Sequence, residues 1–294
     1  MVGDKGVKKL LIISIFLLPN MLGFMVFIGI PIISSFVLSF TEWDLISSPS
    51  FVGLSNYIQL FHDDNFWAAL KHTLTFIVGY LPTVMAISLA IALILNQKIK
   101  FKVFFRAAYF IPVVTSWVAV ALIWKWLLNP TYGLVNYGLS LVGVTGPAWL
   151  QDPSWAMVGI ILTSVWKDVG FVMVLFLAGL QGIPNSYYEA AEIDGANRFQ
   201  KFWKITLPLL SPTTFFVLVI SLINSFQVFD QVMIMTQGGP AGSTTVLVQQ
   251  IYNHAFRYNQ MGYASAASWI LFALVFIVTF IQMRLQKRWI DYGQ

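Results

Sequence analysis

Leu10–Phe40 reads LLIISIFLLPNMLGFMVFIGIPIISSFVLSF and contains no Asp, Glu, Lys, Arg or His. A helix that crosses a bilayer needs about 20 mostly apolar residues. The apolar core of a signal peptide takes only about 7–15. Although Lys5, Lys8 and Lys9 precede the run as they would a signal peptide, its length makes it a membrane helix instead. It is long enough to tilt or to extend past the lipid, with Pro19 and Pro31 as expected kinks.

Outward from this segment the whole chain has the same character. Of 294 residues, 58% are hydrophobic and 10% are charged, against about 25% charged in a soluble domain. A larger core does not remove the need for a wet surface, so the missing polar surface must face lipid. The net charge of +5 sits between apolar runs. That pattern suits basic membrane edges and excludes a nucleic-acid groove. The chain has no cysteine, which excludes disulfides, thiolate metal sites and a cysteine nucleophile. His62, His72 and His254 have no metal-ligand spacing.

Five further apolar stretches follow. They lie between Lys71 and Lys98, from Arg106 to Leu128, from Trp155 to Leu180, from Pro212 to Thr236, and between Arg257 and Arg284. All are expected to be helices, because a lipid-embedded backbone must satisfy its own hydrogen bonds. The basic residues orient them. The N-terminal tail, the second loop (Lys98, Lys100, Lys102, Arg106), the fourth loop (Arg198, Lys201, Lys204) and the C-terminal tail (Arg284, Lys287, Arg288) are basic. The intervening loops are poor in Lys and Arg. Positive loops stay cytoplasmic, so both termini and the even loops are expected on the cytoplasmic side of a cell membrane. The expected organisation is an N-terminal tail, first helix and outer loop over 1–66, a five-helix core over 67–288, and a tail over 289–294.

The fourth loop, 184–212, is unlike the others. Ser186 followed by Glu189 fits a capping box, which predicts a short helix from Tyr187. Gly195 is a natural stop. Ala190, Ala191, Gly195 and Ala196 are small enough for another backbone to approach. A second helical stretch carries Phe199, Phe202, Trp203 and Ile205, and Leu207-Pro208 is expected to end it. Two short helices with a small-residue elbow make a knob suited to docking; the plainer alternative is an amphipathic helix lying on the membrane.

Glu189-Ala190-Ala191, Asp194-Gly195-Ala196 and Ile205-Thr206-Leu207-Pro208 resemble the EAA loop of ATP-binding-cassette importer permeases. Phe51–Tyr57, Leu180–Pro184 and Thr236–Pro240 resemble the maltose-type, carbohydrate-uptake branch. The first helix and early outer loop look like the first of the two permeases such systems pair. The resemblance implies an all-α membrane fold of about six helices with a cytoplasmic coupling helix. It implies that Glu189, Ala190, Ala191, Asp194, Gly195, Ala196, Leu207 and Pro208 meet an ATPase subunit. It also implies a second permease, a cytoplasmic ATPase dimer that holds ATP and Mg, an external solute-binding protein, and a bacterial or archaeal host membrane. This chain has no phosphate-binding Walker sequence, so no cofactor is expected in it.

Ionisable groups at membrane depth are costly and tend to be functional. Ser164, Lys167, Asp168 and Phe171 share one helix face by their spacing, and Ser221, Asn224, Ser225 and Val228 share another. Where two such faces meet they offer hydroxyls, an amide, an ion pair and an aromatic ring, a mixture that suits a sugar. The alternative is interhelical glue. Gln227 and Asp230 are weaker candidates. In the maltose-type branch the matching positions line the sugar pathway. Lys167 and Asp168 differ from the small or apolar residues expected there in a maltose permease, which points to a more polar ligand. A self-contained carrier would show repeated halves, and a membrane-embedded enzyme would cluster catalytic side chains; neither pattern is present. A membrane anchor or sensor would use the knob alone.

Overall fold

The computed structural model describes residues 3–289, with side chains from 13 to 286. The tail lysines Lys5, Lys8 and Lys9, together with Lys287 and Arg288, therefore lie outside the described side chains, and the tail from 290 lies outside the described residues.

Two units are defined by their internal contacts. The first runs to Asp63 and adds Ile251–Ile270. It begins with α1 (Gly3–Phe24), a π-helical turn at Met25–Gly29 and α2 (Ile30–Leu38). Pro31 cannot donate a backbone hydrogen bond. The widened turn just before it absorbs that loss, so the helix continues and Ile13–Leu38 still forms one candidate span. No part of its most apolar stretch is buried, and Phe16 and Phe27 are each 79% exposed. Such a surface is stable in lipid and not in water. Two two-residue strands, β1 (Thr41–Glu42) and β2 (Ser50–Phe51), pair antiparallel. They are followed by α3 (Ser55–Phe61). Asn56 donates to the carbonyls of Ser39 and Thr41 at 2.9 Å each and ties α3 to the end of α2.

The second unit comprises Asp64–Gln250 and the stretch from Leu271. It holds α4 (Asp64–Asn96), α5 (Lys102–Val114), α6 (Trp117–Leu127), α7 (Leu134–Leu141) and α8 (Pro153–Gln181). The next elements are α9 (Asn185–Ile193), α10 (Arg198–Lys201), a π turn at Phe202–Thr206, α11 (Leu207–Leu209), α12 (Ser211–Phe226) and α13 (Asp230–Met235). Last come α14 (Leu247–Tyr252), a π turn at Asn253–Arg257 and α15 (Met261–Trp289), which pass between the two units.

Helix α8 is the central strut: 61% of its most apolar stretch is buried, against 28% for α4. It packs against α4, α5 and α12. Small residues make this approach possible, as in other membrane helix pairs. A Cβ on Gly170 would run into the Tyr109 carbonyl of α5, and one on Gly179 into Thr213 and Leu210. Phe76, Val84, Ile160, Met173, Phe176, Val217 and Val232 fill the core between them.

Among the described residues, four helices are long and apolar enough to cross a membrane, and two bent pairs bring the number to six if each pair is one span. That is the fold class expected, with two corrections to its helices. The third stretch is not continuous. Helices α5 and α6 meet at 100°, because Thr115 leaves the helix in an extended conformation and Ser116 caps the next one by accepting from the Val118 amide. The fifth stretch, expected from Pro212 to Thr236, is broken at Gln227–Phe229. The helical run from Arg198 ends at Leu209, one residue past Leu207-Pro208, and the 62° bend falls there.

Candidate functional site

A cavity of about 620 Å³ opens among α4, α5, α6, α8, α12 and α13. Helix α8 supplies Lys167, Asp168 and Phe171, and α12 supplies Ser221, Asn224 and Ser225. Residues spaced by three and four fall on one helix face, so six of the seven expected pathway residues converge here. The seventh does not. Ser164 is fully buried, donates to the Ile160 carbonyl at 2.8 Å and accepts from Gln231 at 3.3 Å. It holds α8 to α13 and does not line the cavity.

The expected ion pair between Lys167 and Asp168 does not form. Adjacent residues on a helix point about 100° apart, and each finds its own partner. Lys167 is 5% exposed; its Nζ donates to the Val113 carbonyl at 3.0 Å and lies 4.9 Å from the centre of the Trp117 ring. The Val113 carbonyl is free to accept because α5 ends one residue later, so the break at Thr115 creates the lysine's seat. Asp168 accepts a 2.8 Å hydrogen bond from the Tyr80 hydroxyl of α4. Tyr80 in turn stacks on Phe76 with ring centres 5.2 Å apart. Ser225 donates to the Ser221 carbonyl at 2.6 Å. Asn224, Gln227 and Asp230 are exposed along the wall, so the two weaker candidates belong to this site. The break between α12 and α13 is what turns them inward.

Tyr80, Trp117 and Phe229 were missed in the sequence. Buried ionic groups need partners, so a tyrosine within α4 was a usable signal. Trp117 reads as an interface anchor until the bend at Thr115 is known.

The second constellation is the 184–212 loop. Helix α9 starts at Asn185, after Pro184 has set an extended backbone, and no side chain caps it. The Ser186–Glu189 capping box is therefore absent: Ser186 already lies inside the helix. The capping box forms instead on α10, where Asn197 accepts from the Gln200 amide at 2.9 Å and Gln200 accepts from the Asn197 amide at 2.8 Å. Gly195 stops α9 at φ +75°. Ala196 donates to the Ala191 carbonyl and Gly195 to that of Glu192, which is a Schellman motif. Two side-chain braces close the elbow. Tyr188 and Thr206 share a 3.0 Å hydrogen bond, and Lys201 donates to Glu192 at 2.6 Å. Glu189, Ala190, Asp194 and Gly195 remain exposed; Ala191, Ala196, Leu207 and Pro208 are half-buried.

A polar, aromatic-walled cavity inside a bundle of long apolar helices defines a multi-pass membrane protein built to pass a solute. Residues 82–291 match the family described as the binding-protein-dependent transport system inner membrane component. The chain is 39% identical over 94% of its length, and 91% of the relative's, to the Probable ABC transporter permease protein YesP of Bacillus subtilis. It is 39% identical to the multiple sugar-binding transport system permease protein MsmF of Streptococcus mutans, covering 90% and 91% of the two chains. Its fold is similar to a chain of the bacterial alginate ABC transporter solved in complex with an alginate pentasaccharide-bound periplasmic protein. That match has a TM-score of 0.85, 26% identity and 98% coverage of both chains. The chain belongs to this family of transport-system membrane components; it is a permease subunit of an ABC transporter.

Proposed function

We propose that this permease carries a sugar or sugar-like solute inward as half of an alternating-access pathway, driven by ATP hydrolysed in a separate subunit. The observation that carries the reading is the cavity. Hydroxyl, amide and carboxylate groups sit beside Tyr80, Trp117 and Phe171, and polar groups with aromatic faces match the hydroxyls and C–H surfaces of a sugar. The names of its relatives support the class: MsmF is a sugar permease, and the solved neighbour imports alginate. On this reading the exposed face of α9 seats on a cytoplasmic ATPase dimer that binds ATP and Mg. A second permease completes the pathway, and an external solute-binding protein delivers the cargo; the neighbour was solved in complex with a pentasaccharide-bound periplasmic protein. Both termini face the cytoplasm of a bacterial or archaeal cell.

ATP-driven closure of the ATPase pair would bias a two-state permease between its inward-open and outward-open forms. Glu189 makes no hydrogen bond to cap its own helix, which leaves its carboxylate for a partner. The test is reconstitution of the assembled transporter in proteoliposomes. Glu189→Arg should lower transport by about 100-fold, the cost of setting one charge against a like charge at a buried interface, while membrane insertion is unchanged. Asn224→Ala should cut ligand-stimulated transport more than basal ATP hydrolysis. Normal transport by the first variant refutes the docking role; equal loss of both activities in the second makes Asn224 glue and not a ligand group.

A further inference from the structure

The charges lining the cavity are unequal in number and in availability. One cation, Lys167, faces two carboxylates, Asp168 and Asp230. The cation is the less accessible group: it is almost wholly buried, with one N–H of its Nζ on the Val113 carbonyl and the ammonium against the Trp117 ring. Little of its surface is left for an incoming anion to reach. The carboxylates are available. Asp168 uses one oxygen, Oδ2, for the Tyr80 hydroxyl, which leaves Oδ1. Asp230 is exposed on the cavity wall. The amides of Asn224 and Gln227 are exposed beside it. A ligand entering here therefore meets amides that both donate and accept, and two carboxylates set against one buried ammonium.

We infer that this cavity selects its cargo by charge: it takes neutral saccharides, whose hydroxyls donate to Asp168 and Asp230, and turns away acidic ones. The inference rests on the sugar-pathway reading above and adds a specificity to it. Discrimination arises from repulsion as much as from attraction, and here the repulsive element is the pair of carboxylates that outnumber the one buried cation lining the cavity. A solved neighbour of the same fold imports the acidic polysaccharide alginate, so on this inference the shared fold serves opposite charge classes through differences in wall residues.

The experiment is equilibrium binding to the assembled transporter in lipid nanodiscs. The probes are two matched pairs of radiolabelled sugars, glucose with glucuronate and galactose with galacturonate. Wild-type protein should retain the better-bound neutral sugar at least about 10-fold more than its acidic counterpart. Asp168→Asn combined with Asp230→Asn should bring that ratio to within about 3-fold, because the acceptors remain while the charge goes. Asp168 is half-buried and braces α4 against α8, so Asp230→Asn alone is measured as well. Its position on the wall spares the packing, and it should lower the ratio by about 3-fold. Acidic sugars retained as well as neutral ones by wild type, or a ratio that neither variant changes, overturns the charge inference and leaves the sugar site standing. Binding of none of the four sugars overturns the sugar-site reading and this inference with it.

Discussion

Gly170 lies within α8, where a Cβ would run into the backbone of Tyr109 and crowd Val113; Gly195 lies between α9 and α10, where a Cβ would meet nothing within 4 Å but φ is +75°. One glycine is there for space between helices and the other for backbone conformation. Each stands for its region. Around the cavity, side chains are placed by contacts between elements distant in the chain, such as Tyr80 with Asp168 and Val113 with Lys167. In the loop they are placed by neighbours: a Schellman turn, a capping box and two short braces within Tyr188–Thr206. The cavity wall is therefore only as stable as the helix packing behind it, whereas the knob keeps its shape by local means.

The sharpest way to break this contrast is Gly170→Ala. Alanine favours a helix by about 1 kcal/mol over glycine. Against this, its methyl group meets a backbone carbonyl that cannot turn aside as a side chain would, and overpacking of this kind costs about 3 kcal/mol. The clash wins, so the variant should be destabilised by about 2 kcal/mol in denaturant unfolding from detergent micelles, the difference of those two estimates. It should also lose ligand binding, because α5 carries the Val113 carbonyl that seats Lys167. An unchanged midpoint would mean that α5 and α8 are not held at this distance.

Gly195→Ala should do less and do it elsewhere. The left-handed conformation costs a non-glycine residue about 1 kcal/mol, with no clash to add. The expected signature is a loss of about 1 kcal/mol confined to the loop, seen as faster amide exchange at Gly195 and Ala196 with the α8 amides unaffected. Exchange rising in both regions together would show that the knob and the cavity wall unfold as one.

The same division explains which features were legible in the sequence. The four unbroken spans follow from apolar length alone, and the stop at Gly195 from a single residue's backbone freedom. Six cavity residues follow from helical spacing on α8 and α12. The errors have local causes that a pattern does not rank. Ser186–Glu189 and Asn197–Gln200 both fit the capping-box spacing; Pro184 rules out the first, because it sets the extended backbone and starts α9 one residue before Ser186. The break at Thr115–Ser116 had a signal in Ser116, a good N-cap residue inside an apolar run, but length alone joined the two halves. Ser164 has the right spacing for the cavity face and is drawn away by Gln231, 67 positions distant. The Tyr80–Asp168 bond spans 88 positions. Such pairings depend on which helices pack together, and residue spacing within one helix carries no record of that.

The smallest expected effect tests the knob's bracing directly. The hydrogen bond from Lys201, and then its positive charge, hold the Glu192 carboxyl below its ordinary value of 4.5. A carboxylate with a depressed folded value contributes its stabilisation above the ordinary value and loses it as pH falls through the depressed one. The brace is therefore complete near neutrality and opens only in acid below the usual glutamate range. Glu192 is solvent-exposed, and exposed pairs contribute little to global stability, so unfolding midpoints near pH 7 should be the same for wild type and Lys201→Met. The readout that moves is the titration of Glu192 itself. Carbon-13 NMR of labelled glutamate should show it rising to the ordinary value in Lys201→Met, while amide exchange in α8 and α12 stays as in wild type. A Glu192 titration unaffected by the loss of Lys201 would remove this brace from the knob and leave the elbow to the Tyr188–Thr206 bond, the Schellman turn and the capping box.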